Sequence, residues 1–479
     1  MGEIGDVGIE GKEEKIMSGL GKVIDETLIQ RQLEESRGRS EEEILDILMK
    51  AKEAKGLEPG EAAALLQVEE PLLLRKVFQA AREVKMKIYG KRLVLFAPLY
   101  LSNYCVNNCR YCGFRRDNCS IPRKRLSLEE IGGQVEELER LGHKRLLLEC
   151  GESPLSDLDY VENAIATIYA TKNGRGEIRR VNVNIAATTV EHYRRLKAAK
   201  IGTYQLFQET YHRATYEAIH EGPKRDYDRQ IIALDRAQEA GIDDVGLGVL
   251  FGLYDYRFEA LALLYHARHL EDTFGVGPHT ISVPRFRPAR GISFSLPHPV
   301  SDEAFKKLVA VLRLTVPYTG MIISPRESVE MRSEAFDLGI SQTSAGSRTS
   351  PGGYGQQGEE EDRPSEQFQT SDQRPPDEVI RSICQKGYLP SFCTACYRTG
   401  RTGKEFMDIA KPGQIQHLCG PNAILTFKEY LLDYATEETR KVGEEKLRHH
   451  LKEISQSGLR EKIEESLRKM EEGKRDLYF

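Results

Sequence analysis

Short apolar runs alternate with amphipathic stretches from about residue 95 to residue 345. LFAPLYLS (95–102), RLLLEC (145–150), RRVNVNIAA (179–187) and TYQLFQE (203–209) read as strands, followed by VGLGVLF (245–251), HTISVP (279–284), TGMIIS (319–324) and LGISQTS (338–344). Such compact runs suit strands covered on both faces. Helical periodicity fills the intervals near 127–141, 159–171, 188–200, 226–240, 257–273, 302–314 and 327–336. In the first of these, Ser127 and Glu130 have capping-box spacing and Gly142 stands where the helix should stop. Eight strand–helix units predict an α/β fold, a (β/α)8 TIM-type barrel over 91–345. An open doubly wound sheet is the alternative.

Residues 1–90 read as a helical N-terminal extension, with Ser40 and Glu43 as a capping box and a further helical stretch over roughly 60–85. The segment 346–376 is rich in Gly, Ser, Pro and acid, so it reads as a flexible linker or mobile loop. Its GGYG reads as spacing, since no strand leads into a phosphate cradle there. Residues 377–479 form a distinct helical tail, with helices expected near 376–388, 421–435 and 438–472.

Composition narrows the class. The chain has 479 residues, 69 Lys and Arg against 74 Asp and Glu, and a net charge of −5. That balance, spread along the chain, argues against a nucleic-acid binder. No apolar run is long enough to span a bilayer. The start, MGEIGDVGIEGKEEKIMSG, lacks an apolar leader core, and Asp6 stands where a myristoylation start wants a hydroxyl. We therefore expect a soluble, cytoplasmic protein whose nine cysteines are metal ligands, reactive thiols or buried hydrophobes, not disulfides.

Cys105, Cys109 and Cys112 form a C-x3-C-x2-C run just past the first strand. Three thiolates so close can hold three irons of a 4Fe–4S cube and leave the fourth open. Strand C-termini form the catalytic mouth of a barrel, which suits such a site. A structural zinc site would want a fourth ligand nearby, for which Cys119 is an awkward fit.

This loop, with Tyr111 before its last cysteine, closely resembles that of the radical S-adenosylmethionine (SAM) enzymes. The resemblance implies that the open iron binds the amino and carboxylate groups of SAM and that reductive S–C cleavage yields a 5′-deoxyadenosyl radical. It also implies cofactor roles for other residues. Gly151 and Glu152, after the second strand, match the turn that receives the SAM ammonium. Glu209, after the fourth, matches a second polar contact, and Arg229 could pair with the SAM carboxylate.

Arg326, Ser328 and Arg332 follow the seventh strand, again at the mouth. An arginine there can pair bidentately with an amino-acid carboxylate. The whole segment 95–345 resembles the tyrosine lyases among radical SAM enzymes, which implies that these three residues adjoin L-tyrosine. Cα–Cβ scission would then give p-cresol and dehydroglycine. Two branches compete within the barrel: the thiamine-pathway lyase (2-iminoacetate synthase) and the lyase of FeFe-hydrogenase maturation.

The tail carries a second run, Cys393 and Cys396 with Cys419 after 22 intervening residues. The resemblance ties this C-x2-C-x22-C tail to the hydrogenase-maturation branch. It implies an auxiliary 4Fe–4S cluster bearing a fifth, labile iron on which CO and cyanide collect. His279, opening the sixth strand, is our candidate for the histidine on that iron, with His269 as competitor. A zinc reading stays open, because Cys393, Cys396, His417 and Cys419 could form a Cys3His staple in a non-catalytic barrel. Cys150 and Cys384 read as buried small hydrophobes, and Cys119 has no assigned chemistry. The implied partners are L-tyrosine, an electron donor of flavodoxin or ferredoxin type, and other hydrogenase maturation proteins.

Overall fold

A computed structural model describes residues 23–355 and 365–479. The N-terminal stretch read for a leader, and the acidic run within 356–364, lie outside the described residues. Eight strands follow one another in chain order: β1 (Arg92–Ser102), β2 (Arg145–Cys150), β3 (Arg180–Asn184), β4 (Tyr204–Gln205), β5 (Val245–Gly248), β6 (Thr280–Ser282), β7 (Gly320–Ile323) and β8 (Gln342–Ser344). All pair in parallel, and β1 pairs with both β2 and β8, so the sheet closes into a (β/α)8 barrel. The strands match the expected runs, several of them shorter by residues at each end. The first barrel helix, Leu128–Arg140, has its capping box formed by Ser127 and Glu130, and Gly142 turns the chain at φ 84°.

Alternation along each strand sorts the core. On β1, Leu95, Ala97, Leu99 and Leu101 join the main apolar core beneath the helices. The opposite parity, Phe96, Pro98 and Tyr100, lines a cavity inside the barrel. Phe96, Leu147 and Ile322 form a separate apolar cluster there. Below it the interior is polar, where barrels of this type usually carry bulky aliphatics. The Gln205 amide donates to Thr280 Oγ1 at 3.1 Å. A methyl on Gly246 would lie 2.6 Å from both Gln205 and Thr280, and one on Gly320 would lie 2.6 Å from Gln342. Glycine at these inward positions makes room for the polar side chains.

The N-terminal extension forms the helices Glu26–Glu35, Glu41–Ala51, Pro59–Leu66 and Pro71–Tyr89. The helical stretch expected over 60–85 is broken before Pro71, because proline is favoured in a first turn and Glu70 caps it. The expected helix over 226–240 is likewise two, Tyr227–Ile231 and Ala233–Glu239. In the tail, the helix expected over 438–472 divides into Glu437–Lys452 and Ser457–Glu471, separated by the stretch Glu453, Ile454, Ser455 and Gln456. No helix among the described residues is long and apolar enough to cross a membrane.

Two features depart from expectation. A ninth strand, β9 (Leu389–Ser391), pairs with the start of β1, Arg92 opposite Leu389 and Val94 opposite Ser391. Because β2 joins β1 only from Ala97 onward, β9 occupies the gap beneath β2 and carries the tail to the bottom of the barrel. The segment 346–376, read as a flexible linker, is packed over the mouth in its described parts. Tyr354, from GGYG, is buried and donates to the Pro98 carbonyl at 2.7 Å. Gln367 O accepts from Gly113 N at 3.0 Å, and Ser371 N donates to Pro325 O at 2.7 Å. Tertiary hydrogen bonds and two buried aromatics, Tyr354 and Phe368, override the loop-like composition.

Candidate active sites at the two ends of the barrel

The loop after β1 presents Cys105, Cys109 and Cys112 to the cavity at the strand C-termini. It is held by backbone bonds from Val106 N to Glu152 O (2.8 Å), Asn108 N to Glu221 O (3.1 Å) and Arg110 N to Ile219 O (3.0 Å). The Arg123 guanidinium clamps its two ends, donating to the carbonyls of Asn103 (2.7 Å) and Phe114 (2.9 Å). Two side-chain amides point at sulfur: Asn107 at Cys105 (3.7 Å) and Gln367 at Cys112 (3.8 Å). Burial pushes the Cys109 and Cys112 thiols up, Cys112 to about 11. Their ionised forms therefore need a compensating cation, as the iron of a cluster would be. Three converging thiols with N–H donors aimed at them fit an iron–sulfur cluster with a vacant corner.

The neighbouring residues share the cavity. A methyl on Gly151 would sit 2.3 Å from the Tyr104 carbonyl, so only glycine lets β2 end against the cysteine loop. Glu152 accepts from Asn107 Nδ2 at 2.7 Å and from Arg229 at 2.6 Å. Arg229, expected to meet a carboxylate of SAM, is thus paired with the carboxylate of Glu152 and also reaches the Ala187 carbonyl. Glu209 adopts φ 68°, an uncommon left-handed conformation for a non-glycine residue, and accepts from Lys224 Nζ at 2.6 Å. Tyr111 is buried beside Cys109, its hydroxyl 2.9 Å from His220 Nε2. Lys224 was passed over in sequence, since nothing local marks a lysine fifteen residues after Glu209 as its partner.

Of the three residues nominated after β7, only Arg326 lines the cavity, its guanidinium stacked 3.2 Å from the centre of the Phe368 ring. Ser328 instead caps the helix Val329–Leu338, accepting from Met331 N at 3.2 Å. Arg332 is buried in an ion pair with Asp372 and donates to Thr343 Oγ1 at 2.7 Å. On the first turn of that helix, it faces the barrel wall and the folded-back segment, not the cavity. Sequence reasoning also missed Glu149, whose signal was an acidic residue at the inward parity of β2. It faces Tyr100, its register partner on β1, and lines the same cavity.

The tail cysteines gather at the other end. The Cys396 thiol donates to the Cys419 sulfur, drawing the ionisation of Cys419 down, and Cys393 lies near enough to influence both. Arg145, the first residue of β2, donates to the Cys393 carbonyl at 2.9 Å. His279 is buried just before β6, its Nε2 3.3 Å from the hydroxyl of Tyr397, the neighbour of Cys396. Burial lowers its pKa and keeps the imidazole neutral, the form that binds metal. Buried polar atoms lacking a hydrogen-bond partner among the described residues cluster here, Nε of Arg92, Arg145 and Arg180 and Asp244 Oδ2, while His279 Nδ1 lies 3.5 Å from Asp244 Oδ1. Three thiols, a neutral imidazole and these orphaned groups fit a charged metal centre.

His269, the competitor, lies on an outer helix with its Nε2 2.6 Å from Asp235. The Cys3His zinc set is not assembled. His417 is exposed while Cys419 is buried, and residues two apart on the helix Gln416–Asp433 do not share a face. Cys150 is half-buried and Cys384 buried, whereas Cys119 is exposed.

Comparison with known proteins places this geometry. The Radical SAM superfamily profile matches residues 99–265, and that of the Biotin and Thiamin Synthesis associated domain matches residues 282–389. A 2-iminoacetate synthase of Salmonella typhimurium is 33% identical over 348 residues, 71% of this chain and 88% of that protein. A crystal structure of HydG, a maturase of the FeFe-hydrogenase, is 56% identical with a TM-score of 0.92, covering 95% of this chain and 100% of that one. The HydG structure from Carboxydothermus hydrogenoformans is 43% identical with a TM-score of 0.82, covering 94% and 99%. Radical SAM membership implies a 4Fe–4S cluster and SAM, which the residues at the barrel mouth fit. The chain belongs to the radical SAM superfamily and, within it, to the family of the HydG maturases of the FeFe-hydrogenase.

Proposed function

We propose that this chain is a tyrosine lyase of FeFe-hydrogenase maturation. It cleaves L-tyrosine between Cα and Cβ to p-cresol and dehydroglycine at the barrel mouth. Dehydroglycine then yields CO and cyanide at an auxiliary iron–sulfur site at the barrel bottom, for assembly of the hydrogenase active site. The observation that carries this reading is the pair of cysteine sets at opposite ends of one barrel. The HydG structures at 56% and 43% identity support it further.

Cys105, Cys109 and Cys112 hold the first cluster, which together with SAM supplies a 5′-deoxyadenosyl radical when bound. Gly151 and Glu152 receive the SAM ammonium, with Asn107 orienting Glu152. Arg229 and Glu209 complete the polar contacts, and Tyr111 closes the apolar side of the pocket. Arg326 binds the carboxylate of tyrosine. Ser328 and Arg332 position the turn that bears it, by capping the helix behind it and by anchoring the folded-back segment through Asp372. Cys393, Cys396 and Cys419 hold the auxiliary cluster, and His279 contributes to binding the labile iron, which leaves as cargo. Dehydroglycine would pass between the two ends through the polar interior of the barrel, past Gln205, Thr280 and Gln342. The enzyme would work in the cytoplasm with a flavodoxin- or ferredoxin-type donor and other maturation proteins.

Anaerobic reconstitution with iron, sulfide, SAM, reductant and tyrosine tests the reading. The expected products are p-cresol, CO and cyanide together. Formation of p-cresol without CO or cyanide would instead assign the chain to the thiamine-pathway chemistry.

A further inference from the structure

The cavity at the barrel mouth holds three carboxylates, and two are already committed. Glu152 is paired with Arg229 and Glu209 with Lys224. Glu149 has no salt bridge among the described residues, yet it lines the cavity beside Tyr100, in electrostatic reach of Arg326. We propose that Glu149 takes the ammonium proton of the bound amino-acid substrate.

The argument rests on the reading of Arg326 as the carboxylate-binding residue. In an α-amino acid the carboxylate and the ammonium are attached to the same carbon. A guanidinium and a carboxylate lining one cavity, close enough to act on each other's ionisation, therefore complement the two ends of that zwitterion. A radical that removes a hydrogen atom from nitrogen needs the neutral amine. One N–H bond of the ammonium breaks, one O–H bond forms on Glu149, and no electron moves. Glu149 is suited to this exchange near neutral pH. Burial raises its pKa to about 7; the Tyr100 hydrogen bond and Arg326 oppose that rise, and Glu209 adds to it. Tyr354, from the folded-back segment, and Cys150, its neighbour on β2, are the other titratable groups near it.

Glu149→Gln and Glu149→Asp in the reconstituted holoenzyme test the assignment. With Gln, kcat for p-cresol should fall about 100-fold or more, with KM for tyrosine changed by less than about threefold. SAM cleavage to 5′-deoxyadenosine should persist, and the acid limb of the wild-type pH profile should vanish. Asp should restore part of the rate. Independently of turnover, adding tyrosine to the unreduced wild-type holoenzyme with SAM should produce a carboxylic-acid C=O band in the infrared difference spectrum that Glu149→Gln lacks. A Gln variant with kcat within about threefold of wild type, or a wild type without that band, overturns the proposal. Wild-type protein that forms no p-cresol overturns the tyrosine reading instead, and the infrared band then decides the role of Glu149 with other amino acids.

Discussion

Arg326 and Arg332 stand six residues apart, the first in the turn after β7 and the second on the helix that follows, yet only the first reaches the cavity. The difference lies in their partners. Arg332 meets Asp372, forty residues along the chain, while Arg326 stacks on Phe368. Removing one partner of a buried pair leaves the other charge uncompensated, though Arg374 also touches Asp372. Arg332→Ala should therefore lower unfolding stability by about 3 kcal/mol in a denaturant titration. Arg326→Ala should leave the unfolding midpoint nearly unchanged and cut p-cresol formation about 100-fold or more, and Lys should not restore it, because one ammonium cannot make the bidentate pair. Equal effects of the two alanine variants on stability would refute this division. Gly151 gives a second test. A methyl 2.3 Å from the Tyr104 carbonyl forces the cysteine loop to move. Gly151→Ala should thus reconstitute with less iron than wild type while keeping its secondary structure, as read by iron analysis and circular dichroism. The cysteines, Gly151 and Glu152 were legible in sequence because their chemistry follows a strand end directly. The facing partners of Arg332 and Glu209 were not, because tertiary contact alone defines them.

The barrel helices and strands were legible as elements because both carry strong periodicity: apolar runs for strands buried on two faces, amphipathic text for the helices over them. β9 was not, since three residues with a proline among them give no pattern. The segment after β8 was misread because its Gly- and Ser-rich text conceals the anchors Tyr354 and Phe368. One helix acts on the mouth from outside. Glu259, buried in the helix Tyr256–Phe274, accepts from Tyr211 N at 2.8 Å and from the Thr210 hydroxyl, tying down the turn that holds Glu209 at positive φ. Burial raises the pKa of Glu259 from 4.5 to about 8, against the pull of those hydrogen bonds. The protonated form is then favoured by folding, so its contribution to stability is full at acid pH and is lost as pH rises from about 4.5 through about 8. Glu259→Gln removes that dependence. Its stability relative to wild type should improve by about 2 kcal/mol between pH 5 and pH 7 in paired denaturant titrations. A difference that is flat with pH, or that runs the other way, would contradict the assignment.

At the scale of the molecule, one strand sets the distance between the two cysteine sets. β1 runs eleven residues from Arg92 to Ser102, roughly 35 Å when extended. Its upper end delivers Cys105, Cys109 and Cys112 to the mouth, and its lower end pairs with β9 and so delivers Cys393 to the bottom. The two cysteine sets were legible from their spacing in the sequence. Their placement at opposite ends was not, because it depends on β9 filling the gap beneath β2. A protein built this way should lose one chemistry without the other. The most direct test is Cys393→Ser or Cys396→Ser, reconstituted anaerobically and assayed with SAM, reductant and tyrosine for p-cresol and CO in the same reaction. The account predicts p-cresol within about threefold of wild type and CO reduced at least about tenfold, since the substitution touches none of the mouth residues. Equal loss of p-cresol and CO would contradict it.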